Sequence, residues 1–345
     1  MTNIELKETL ARPLLRVPQV SREQWISLIL LVGVVAAAMI AHFMGERYFV
    51  NLASRITIIA LAGVGLNLAL GFGGMVSLGH AAFFGLGGYV AGIGAFHAFE
   101  MSPVFGVPGL PEGSDQMITL WITAMFLCGI VGWLIGRISL RTSGVYFIMI
   151  TLAFAQMIYY FAISWPTYGG EDGLPIYVRN QFFGLDTSNS LIFFIICFAL
   201  LLLALGFSHR IMRARFGAAL TMARINPVRL ATAGVEPQPI RLAAFVISGM
   251  IVGLAGALSA DLNGFVGPSM LSWHTSGEIM VIVILGGVGR HCGPLAGAIL
   301  FVLMETLLGG LTQYWQFFLG LVLLGVVLFA SGGVMGLLAG RPQHV

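Results

Sequence analysis

The chain has 345 residues, of which 58% are hydrophobic and only 9% are charged, and its formal net charge is +3. Soluble domains carry about 25% charged residues, so this composition excludes an ordinary soluble globular protein. The three cysteines, Cys128, Cys197 and Cys292, have no paired spacing, which indicates neither a disulfide framework nor a metal site.

Long apolar runs predict the fold class. Several runs reach the ~20 residues that a helix needs to cross a bilayer, so we predict an all-α, polytopic helical membrane protein with about ten transmembrane helices. Segment 1–25 lacks the apolar core of a signal peptide, and we expect an N-terminal tail there, a transmembrane domain at 26–335 and a C-terminal tail at 336–345. The predicted spans are 26–44, 52–70, 76–98, 118–138, 144–163, 190–208, 242–262, 275–290, 293–311 and 315–335.

Basic residues are distributed unevenly between the segments that join these spans. If the N-terminus is cytoplasmic, the outer segments contain only Arg47, Arg55 and Arg179, and the inner segments contain every other lysine and arginine. This asymmetry fits the positive-inside rule and predicts that both termini are cytoplasmic. Ten spans divide into two sets of five, and an odd number per half would make the two halves inverted in topology.

The stretch from Gly71 to Gly94 is rich in glycine and polar side chains. A helix break here exposes backbone polar groups, which a membrane protein tolerates only beside a cavity or inside protein. One interpretation is a broken helix beside a translocation path. The other is close helix packing through glycines, with His80 as a satisfied buried side chain. The path residues of the first interpretation are Gly73, Gly74, Ser77 and His80, and the packing glycines of the second are Gly85, Gly88 and Gly92. A fainter copy of this pattern, LGGVGRHCGPLAGAIL, follows Ile284, again with a Gly-Gly pair before a histidine.

Two further regions place polar groups in or beside apolar spans. Thr142, Ser143, Tyr146 and Thr151 either line a path or form hydrogen bonds between helices. Carboxylates in spans are candidate functional groups by default. Glu278 and Glu305 are the candidates here, and Glu305 is predicted to be the better buried of the two and able to serve a proton-coupled mechanism.

A turn cluster, TYGGEDGLP, joins two spans at Thr167–Pro175. It is predicted to touch an extracytoplasmic partner or to gate a path, and the alternative is a simple solvated loop. Its candidate residues are Gly169, Gly170, Glu171, Asp172 and Gly173.

The longest polar interruption is the central loop, His209–Arg241. Asn226 is predicted to cap a short helix that has Pro227 at its first position and Gly234 as its left-handed C-terminal residue. Six arginines surround this helix, and we predict that it is a docking surface for a cytoplasmic partner. The alternative is a solvated loop whose arginines only orient the neighbouring spans. The six arginines are Arg210, Arg213, Arg215, Arg224, Arg229 and Arg241.

Motifs of enzymatic chemistry are missing from the chain. Its only lysine is Lys7, so there is no Gly-Lys-Ser/Thr loop to hold nucleotide phosphates. No HExxH, Cys/His cluster or GxSxG sequence is present. We therefore expect neither an enzyme nor an ATPase, and no cofactor on this chain.

Four stretches resemble the permease subunits of branched-chain amino acid ABC importers of the LivM type. They are GFGGMVSLGHAAFFGLGGY from Gly71, TSGVYFIMITLAFAQMI from Thr142, NPVRLATAGVEPQPIRLAAFVISGMIVGLAGAL from Asn226 and ILGGVGRHCGPLAGAIL from Ile284. The resemblance implies a bacterial inner-membrane protein that works with a second related permease, two ATPase subunits that bind ATP and Mg, and an extracytoplasmic solute-binding protein.

The same resemblance assigns the contact with the ATPase to the central loop. The implied contact residues are Asn226, Pro227, Arg229, Ala231, Gly234 and Val235, although the family commonly has an acidic residue where this chain has Pro227. The implied solutes are amino acids with apolar side chains, and related permeases also carry urea, short amides or other small carboxylates. The alternative is an ion-coupled secondary transporter, for which Glu305 would be the ion-binding carboxylate.

Overall fold

A computed structural model describes residues 22–103, 113–177, 179–182, 184, 187–311, 313–330 and 332–340. These residues form thirteen α-helices and one two-stranded sheet. Of the tails predicted at 1–25 and 336–345, residues 1–21 and 341–345 lie outside the described residues, whereas residues 22–25 are in the first helix and residues 336–339 are in the last. The helices are α1 (Arg22–Phe43), α2 (Arg47–Asn67), α3 (His80–Glu100), α4 (Met117–Ser139), α5 (Val145–Ile163), α6 (Ser190–Arg213), α7 (Arg215–Ile225), α8 (Pro227–Thr232), α9 (Pro237–Asn263), α10 (Trp273–Gly286), α11 (Gly293–Gly309), α12 (Trp315–Phe329) and α13 (Gly333–Ala339). The strands are β1 (Leu174–Pro175) and β2 (Phe265–Val266).

The prediction of a polytopic helical membrane protein is confirmed. Among the described residues, seven helices are long and apolar enough to cross a membrane, namely α1 to α6 and α9. The last three predicted spans coincide with the shorter apolar helices α10, α11 and α12. At 1.5 Å per residue, α10 is about 21 Å long, shorter than the ~30 Å hydrocarbon core.

Several predicted boundaries are wrong. The span predicted at 275–290 ends at Gly286, and the span predicted at 315–335 ends at Phe329. Conversely, α6 continues to Arg213 and α9 begins at Pro237. Arginine is stabilising in a last helical turn, so Arg210 and Arg213 continue α6 and do not end it. Proline is tolerated at a first helical position, so α9 can begin at Pro237.

Helix α9 lies at the centre of the bundle and packs against α2, α3 and α4. Glycine makes its contact with α3 very close, because a Cβ atom on Gly87 would lie 1.8 Å from the carbonyl oxygen of Gly253. Small residues permit such backbone-to-backbone contact between membrane helices. By contrast, α12 has no buried residue among those described and presents apolar side chains outward.

The bundle has two distinct ends. The central-loop end carries α7, α8 and two glycine-rich helix breaks, residues 73–79 (break 1) and 287–292 (break 2). The opposite end carries the turn cluster, which is held by antiparallel pairing of Leu174 with Val266. Which end faces the cytoplasm remains a prediction from charge.

Candidate functional site

The short helix α8 has the caps that the sequence predicts. The Oδ1 atom of Asn226 accepts a hydrogen bond from the backbone N–H of Arg229 at 2.9 Å, and Pro227 is the first helical residue. Gly234 has a φ of +83°, a left-handed conformation that glycine adopts without steric cost. Its N–H donates to the carbonyl oxygen of Ala231 at 3.0 Å. The predicted capping roles of Asn226 at the start of α8 and of Gly234 at its end are therefore confirmed.

Helix α8 and its flanks expose apolar side chains. Only Leu230 of this helix is buried, while Ile225 and Val228 are 72% and 71% exposed and Val235 is 39% exposed. Apolar side chains mixed with arginine are typical of protein interfaces. This surface favours docking over a loop that is only solvated. The exposed arginines around it include Arg210, Arg213, Arg215 and Arg229.

The other two arginines of the predicted cluster have a different role. Arg224 donates through Nη1 to the carbonyl oxygen of Gly71, and Arg241 donates through Nη2 to the carbonyl oxygen of Ala223. Both therefore bind the protein's own backbone, Arg224 while still exposed and Arg241 while partly buried. Arg224 in particular joins α7 to the end of α2, so the central loop is tied directly to a membrane span.

Break 1 lies where the sequence predicts a broken helix. Helix α2 ends in a π-helical turn, Leu68–Phe72, and helical geometry resumes only at His80. Single π-helical turns often occur at functional sites. Within the break, the Ser77 hydroxyl accepts the N–H of Gly79 at 3.1 Å, Gly73 is buried, and Gly74 is exposed with a φ of +67°.

Asn67 connects the end of α2 to break 2. Its Nδ2 atom donates to the carbonyl oxygen of Arg290, and its Oδ1 atom accepts the N–H of Gly289, both at 2.9 Å. Glycine at position 71 allows this approach, since a Cβ atom there would lie 2.6 Å from the nitrogen of Gly289. The two similar glycine-rich stretches of the sequence are therefore in direct contact.

Sequence reasoning missed Asn67, although a single amide within an apolar run was an available signal. Because both breaks lie at the same end of the bundle, their similarity does not itself indicate inverted halves. The inverted arrangement remains a prediction.

Break 2 is also hydrogen-bonded to α13 and to its C-terminal cap. Arg290 is 6% exposed and donates to the carbonyl oxygens of Met335 and Gly340 at 3.0 and 2.7 Å. Met335 lies within α13 and Gly340 is its C-terminal cap, and a cation is favourable at the C-terminal end of a helix. Arg290, which was predicted only as an inner positive charge, thus holds break 2 against α13.

His291 lies in break 2 beside two basic side chains. Its ring contacts the ring of Phe72, with centroids 5.1 Å apart, and the ring of His209, with centroids 4.7 Å apart. Burial, followed by the neighbouring His209 and Arg213, lowers the pKa of His291 to about 4. The imidazole is therefore neutral at pH 7.

The predicted path residue His80 is completely buried and hydrogen-bonded. Its Nε2 atom lies 2.9 Å from the Ser248 hydroxyl, and that hydroxyl donates to the carbonyl oxygen of Gly65 at 2.6 Å. Because the hydroxyl proton is already used, Nε2 of His80 must be the donor. Gly85, Gly88 and Gly92 meanwhile contact side chains of segment 265–271. Break 1 therefore precedes α3 and packing glycines follow within it, so both geometric features are present. A translocation path beside the break remains a prediction.

The predicted polar residues of α5 and the turn before it do not converge on one site. Thr151 is buried, its hydroxyl donates to Ile148 at 3.0 Å, and a Cβ atom on Gly79 would meet its carbonyl oxygen at 3.0 Å. The remaining predicted residues, Thr142, Ser143 and Tyr146, are at least partly exposed, and Tyr146 is 73% exposed. Only Thr151 therefore packs against break 1.

The turn cluster at the opposite end has a fixed geometry. Gly169, Gly170 and Gly173 all have positive φ angles, of +87°, +49° and +81°. Glu171 and Asp172, between them, are exposed. The cluster is anchored below by Tyr168, whose hydroxyl lies 2.9 Å from Nε2 of His97. Two carboxylates are thus presented outward from a firmly packed base.

Glu305 is not an isolated carboxylate. The Nη2 atom of Arg55 lies 2.8 Å from both of its oxygen atoms. An opposite charge at this distance accounts for a carboxylate in an apolar helix. This ion pair weakens the case for Glu305 as a proton-binding group.

Comparison with known proteins identifies relatives over most of the chain. Residues 48–327 match the family described as branched-chain amino acid transport system / permease component. The chain is 26% identical over 338 residues to the high-affinity branched-chain amino acid transport system permease protein LivM of Escherichia coli, covering 91% of this chain and 75% of that protein. It is 22% identical over 297 residues to the corresponding permease protein BraD of Pseudomonas aeruginosa, covering 82% of this chain and 92% of that protein. No solved structure gives a significant match.

Proposed function

We propose that this chain, which belongs to the family of branched-chain amino acid transport permease components, is the membrane-spanning subunit of an ABC importer. It moves amino acids with apolar side chains, or related small solutes, into the cytoplasm across the bacterial inner membrane. Two ATPase subunits bind ATP and Mg, a second related permease completes the membrane unit, and an extracytoplasmic binding protein delivers the solute.

The observation that carries this proposal is the capped helix α8. It is short, exposed and fringed with arginine, and its caps hold it in one conformation. The chain itself has no nucleotide-binding loop, so an energised process needs an energy source on another chain. A rigid surface helix with apolar side chains such as Val228 is suited to receive that partner.

The contacts behind α8 support a mechanical role. Arg224, in the adjoining helix α7, bonds to Gly71 at the edge of break 1. Asn67, one turn earlier, bonds to break 2. A displacement of the central loop would therefore reach both interrupted helices through hydrogen bonds. We infer that closure of the ATPases on ATP moves α8 and rocks the spans between outward and inward access.

The opposite end supports the delivery step. Glu171 and Asp172 are exposed on the rigid turn cluster, which suits contact with a soluble partner better than a mobile gate. The proposed neighbours of the solute path lie in break 1 or next to it. Those within the break are Gly73, Gly74 and Ser77, and those next to it are His80 and Thr151. Thr142, Ser143 and Tyr146 lie apart from them.

Substitution of Gly234 by valine tests the docking proposal. Valine is poorly suited to a φ of +83°, since a left-handed conformation costs an ordinary residue roughly 1–2 kcal/mol and a β-branched residue more. We expect Gly234→Val to distort the end of α8 and to lower both solute uptake and the amount of ABC ATPase that co-purifies with the tagged chain from its host membranes. Arg229→Glu, which reverses an exposed charge without straining the backbone, should have the same effect.

Gly45→Val is the matched control. Gly45 also has a positive φ, +77°, and a Cβ atom there would meet no other atom within 4 Å, but it lies at the opposite end. The substitution should lower neither ATPase retention nor membrane insertion. Normal uptake together with unchanged ATPase retention in both Gly234→Val and Arg229→Glu would overturn the docking proposal.

A further inference from the structure

A cavity of about 370 Å³ opens among the helices at the opposite end of the bundle. Residues of α2, α9 and α10 line it, together with the segment that joins α9 to α10, Phe84 of α3 and Phe301 of α11. Binding sites for small molecules begin at about 300 Å³, so the volume suits a small solute. Sequence reasoning named Glu278 as a candidate carboxylate but did not place it beside a cavity.

The cavity presents charges of both signs. Arg55 lines it from α2 and Glu278 lines it from α10. Arg55 uses Nη2 for its ion pair with Glu305, and within the described part of the chain no hydrogen bond engages its Nε or Nη1. Glu278 forms no ion pair with any described residue. Hydrogen-bond donors of Arg55 and the unpaired carboxylate of Glu278 thus border the same cavity.

The rest of the lining is divided by polarity. Ile58 and Ala62 follow Arg55 along α2, and Ile282 follows Glu278 one turn further along α10. These apolar residues therefore lie toward the middle of the bundle, and the charged residues lie nearer to its opposite end. The other polar residues of the lining belong to the end of α9, the start of α10 and the segment between them, and they are Ser259, Asn263, Ser269, Ser272, His274 and Thr275. The cavity therefore has a charged and polar entrance and an apolar interior.

Ionised groups in a membrane domain need a compensating partner or water. A free amino acid supplies both partners at once: its ammonium is complementary to a carboxylate, and its carboxylate is complementary to a guanidinium. An apolar side chain would then occupy the interior. A neutral molecule such as urea satisfies neither charge.

We propose that this cavity is a recognition site for a zwitterionic amino acid with an apolar side chain. Glu278 binds the ammonium group, and Arg55 binds the carboxylate with the donors that its ion pair with Glu305 leaves free. The inference rests on the proposed function and narrows it, because it selects zwitterionic amino acids over urea and neutral amides as solutes.

Protection of an introduced cysteine tests the site without requiring transport. Thr275 is partly exposed and lines the cavity, so Thr275→Cys is labelled with a small water-soluble thiol reagent. The full chain is used in lipid nanodiscs with whatever companion chains it retains. Thr119→Cys, at the same end but on α4 and outside the cavity, is the matched control.

Four probes separate the recognised groups: leucine, leucinamide without the carboxylate, 4-methylpentanoate without the ammonium, and urea. We expect leucine to slow labelling of Thr275→Cys roughly tenfold at about ten times its Kd, since the free fraction falls as 1/(1 + [L]/Kd). The other three probes at the same concentration should protect little, and none should protect Thr119→Cys. Equal protection by urea, protection by no probe, or a Thr275→Cys that the reagent never reaches would overturn the proposal.

Charge variants in the Thr275→Cys background assign the two contacts. Glu278→Gln should abolish protection by leucine. Arg55→Gln combined with Glu305→Gln removes the guanidinium without leaving its partner carboxylate unpaired, and should also abolish protection. Glu305→Gln alone keeps the guanidinium and should retain protection. Full protection in Glu278→Gln would refute the assignment even if another variant failed to fold.

This experiment fails independently of the proposed function. Labelling reports the opposite end of the bundle, whereas ATPase retention reports the central loop. Loss of zwitterion protection with normal ATPase retention rejects only the cavity. Zwitterion protection without any associated ATPase rejects the ABC importer and keeps the cavity.

Discussion

Asn67→Ala is predicted to loosen the contact between the end of α2 and break 2. The substitution removes one donor and one acceptor, so the carbonyl oxygen of Arg290 and the N–H of Gly289 each lose a partner. An unsatisfied buried group costs ~1–3 kcal/mol, which gives roughly 2–6 kcal/mol for the pair. We expect the lower limit, about 2 kcal/mol, because hydrogen bonds within membrane domains are worth less on average.

The native cysteines provide the assay. Cys292 lies in break 2 and is partly buried, whereas Cys197 is completely buried in the bundle. About 2 kcal/mol corresponds to a rise of roughly 30-fold in the population with break 2 open, at 1.4 kcal/mol per factor of ten. Alkylation followed by peptide mass spectrometry should therefore show faster labelling of Cys292, with Cys197 still protected.

Asn189→Ala is the matched control for this prediction. Asn189 caps α6 at the opposite end by accepting the N–H of Leu191 at 3.1 Å, and its loss should leave Cys292 unaffected. Equal labelling of Cys292 in Asn67→Ala and in the unmodified chain would refute the role of Asn67. Parallel increases at Cys292 and Cys197 would instead indicate global unfolding.

Three further outcomes are expected. Asn226→Ala should cost about 1 kcal/mol of α8 stability and reduce ATPase co-purification, whereas Asn226→Ser, which restores a capping oxygen, should retain it. Because the pKa of His291 in the folded protein, about 4, lies below the usual 6.5, the unfolded chain binds the proton more tightly. Stability is therefore lost as the pH falls from about 6.5 toward 4. His291→Phe should reduce this loss by about 2 kcal/mol at pH 5. Thermal unfolding of both proteins at pH 7 and at pH 5 measures the difference. Glu305→Gln should preserve solute uptake in cells if Glu305 only neutralises Arg55, and loss of uptake with ATPase coupling intact would instead favour an ion-coupled transporter.

Local features of the sequence predicted local features of the site. The caps of α8 were predictable because Asn226 and Gly234 act on backbone groups within a few residues of themselves. Break 1 was predictable from its local glycines, whereas the predicted span 275–290 extended into break 2, which begins after Gly286. The role of each arginine was not, since Arg224 and Arg229 look alike in the sequence and are both exposed, but only Arg224 bonds to a membrane span.

The sequence by itself determined that the chain is a helical membrane protein and where its long spans lie, because hydropathy is a property of neighbouring residues. It also determined which short helix the central loop contains, because capping residues act on nearby backbone groups. Only the tertiary structure decided which distant groups meet. Asn67 and Gly289 are 222 positions apart, and Arg55 and Glu305 are 250 positions apart. Their contacts depend on how helices pack around α9, and no local pattern encodes that packing.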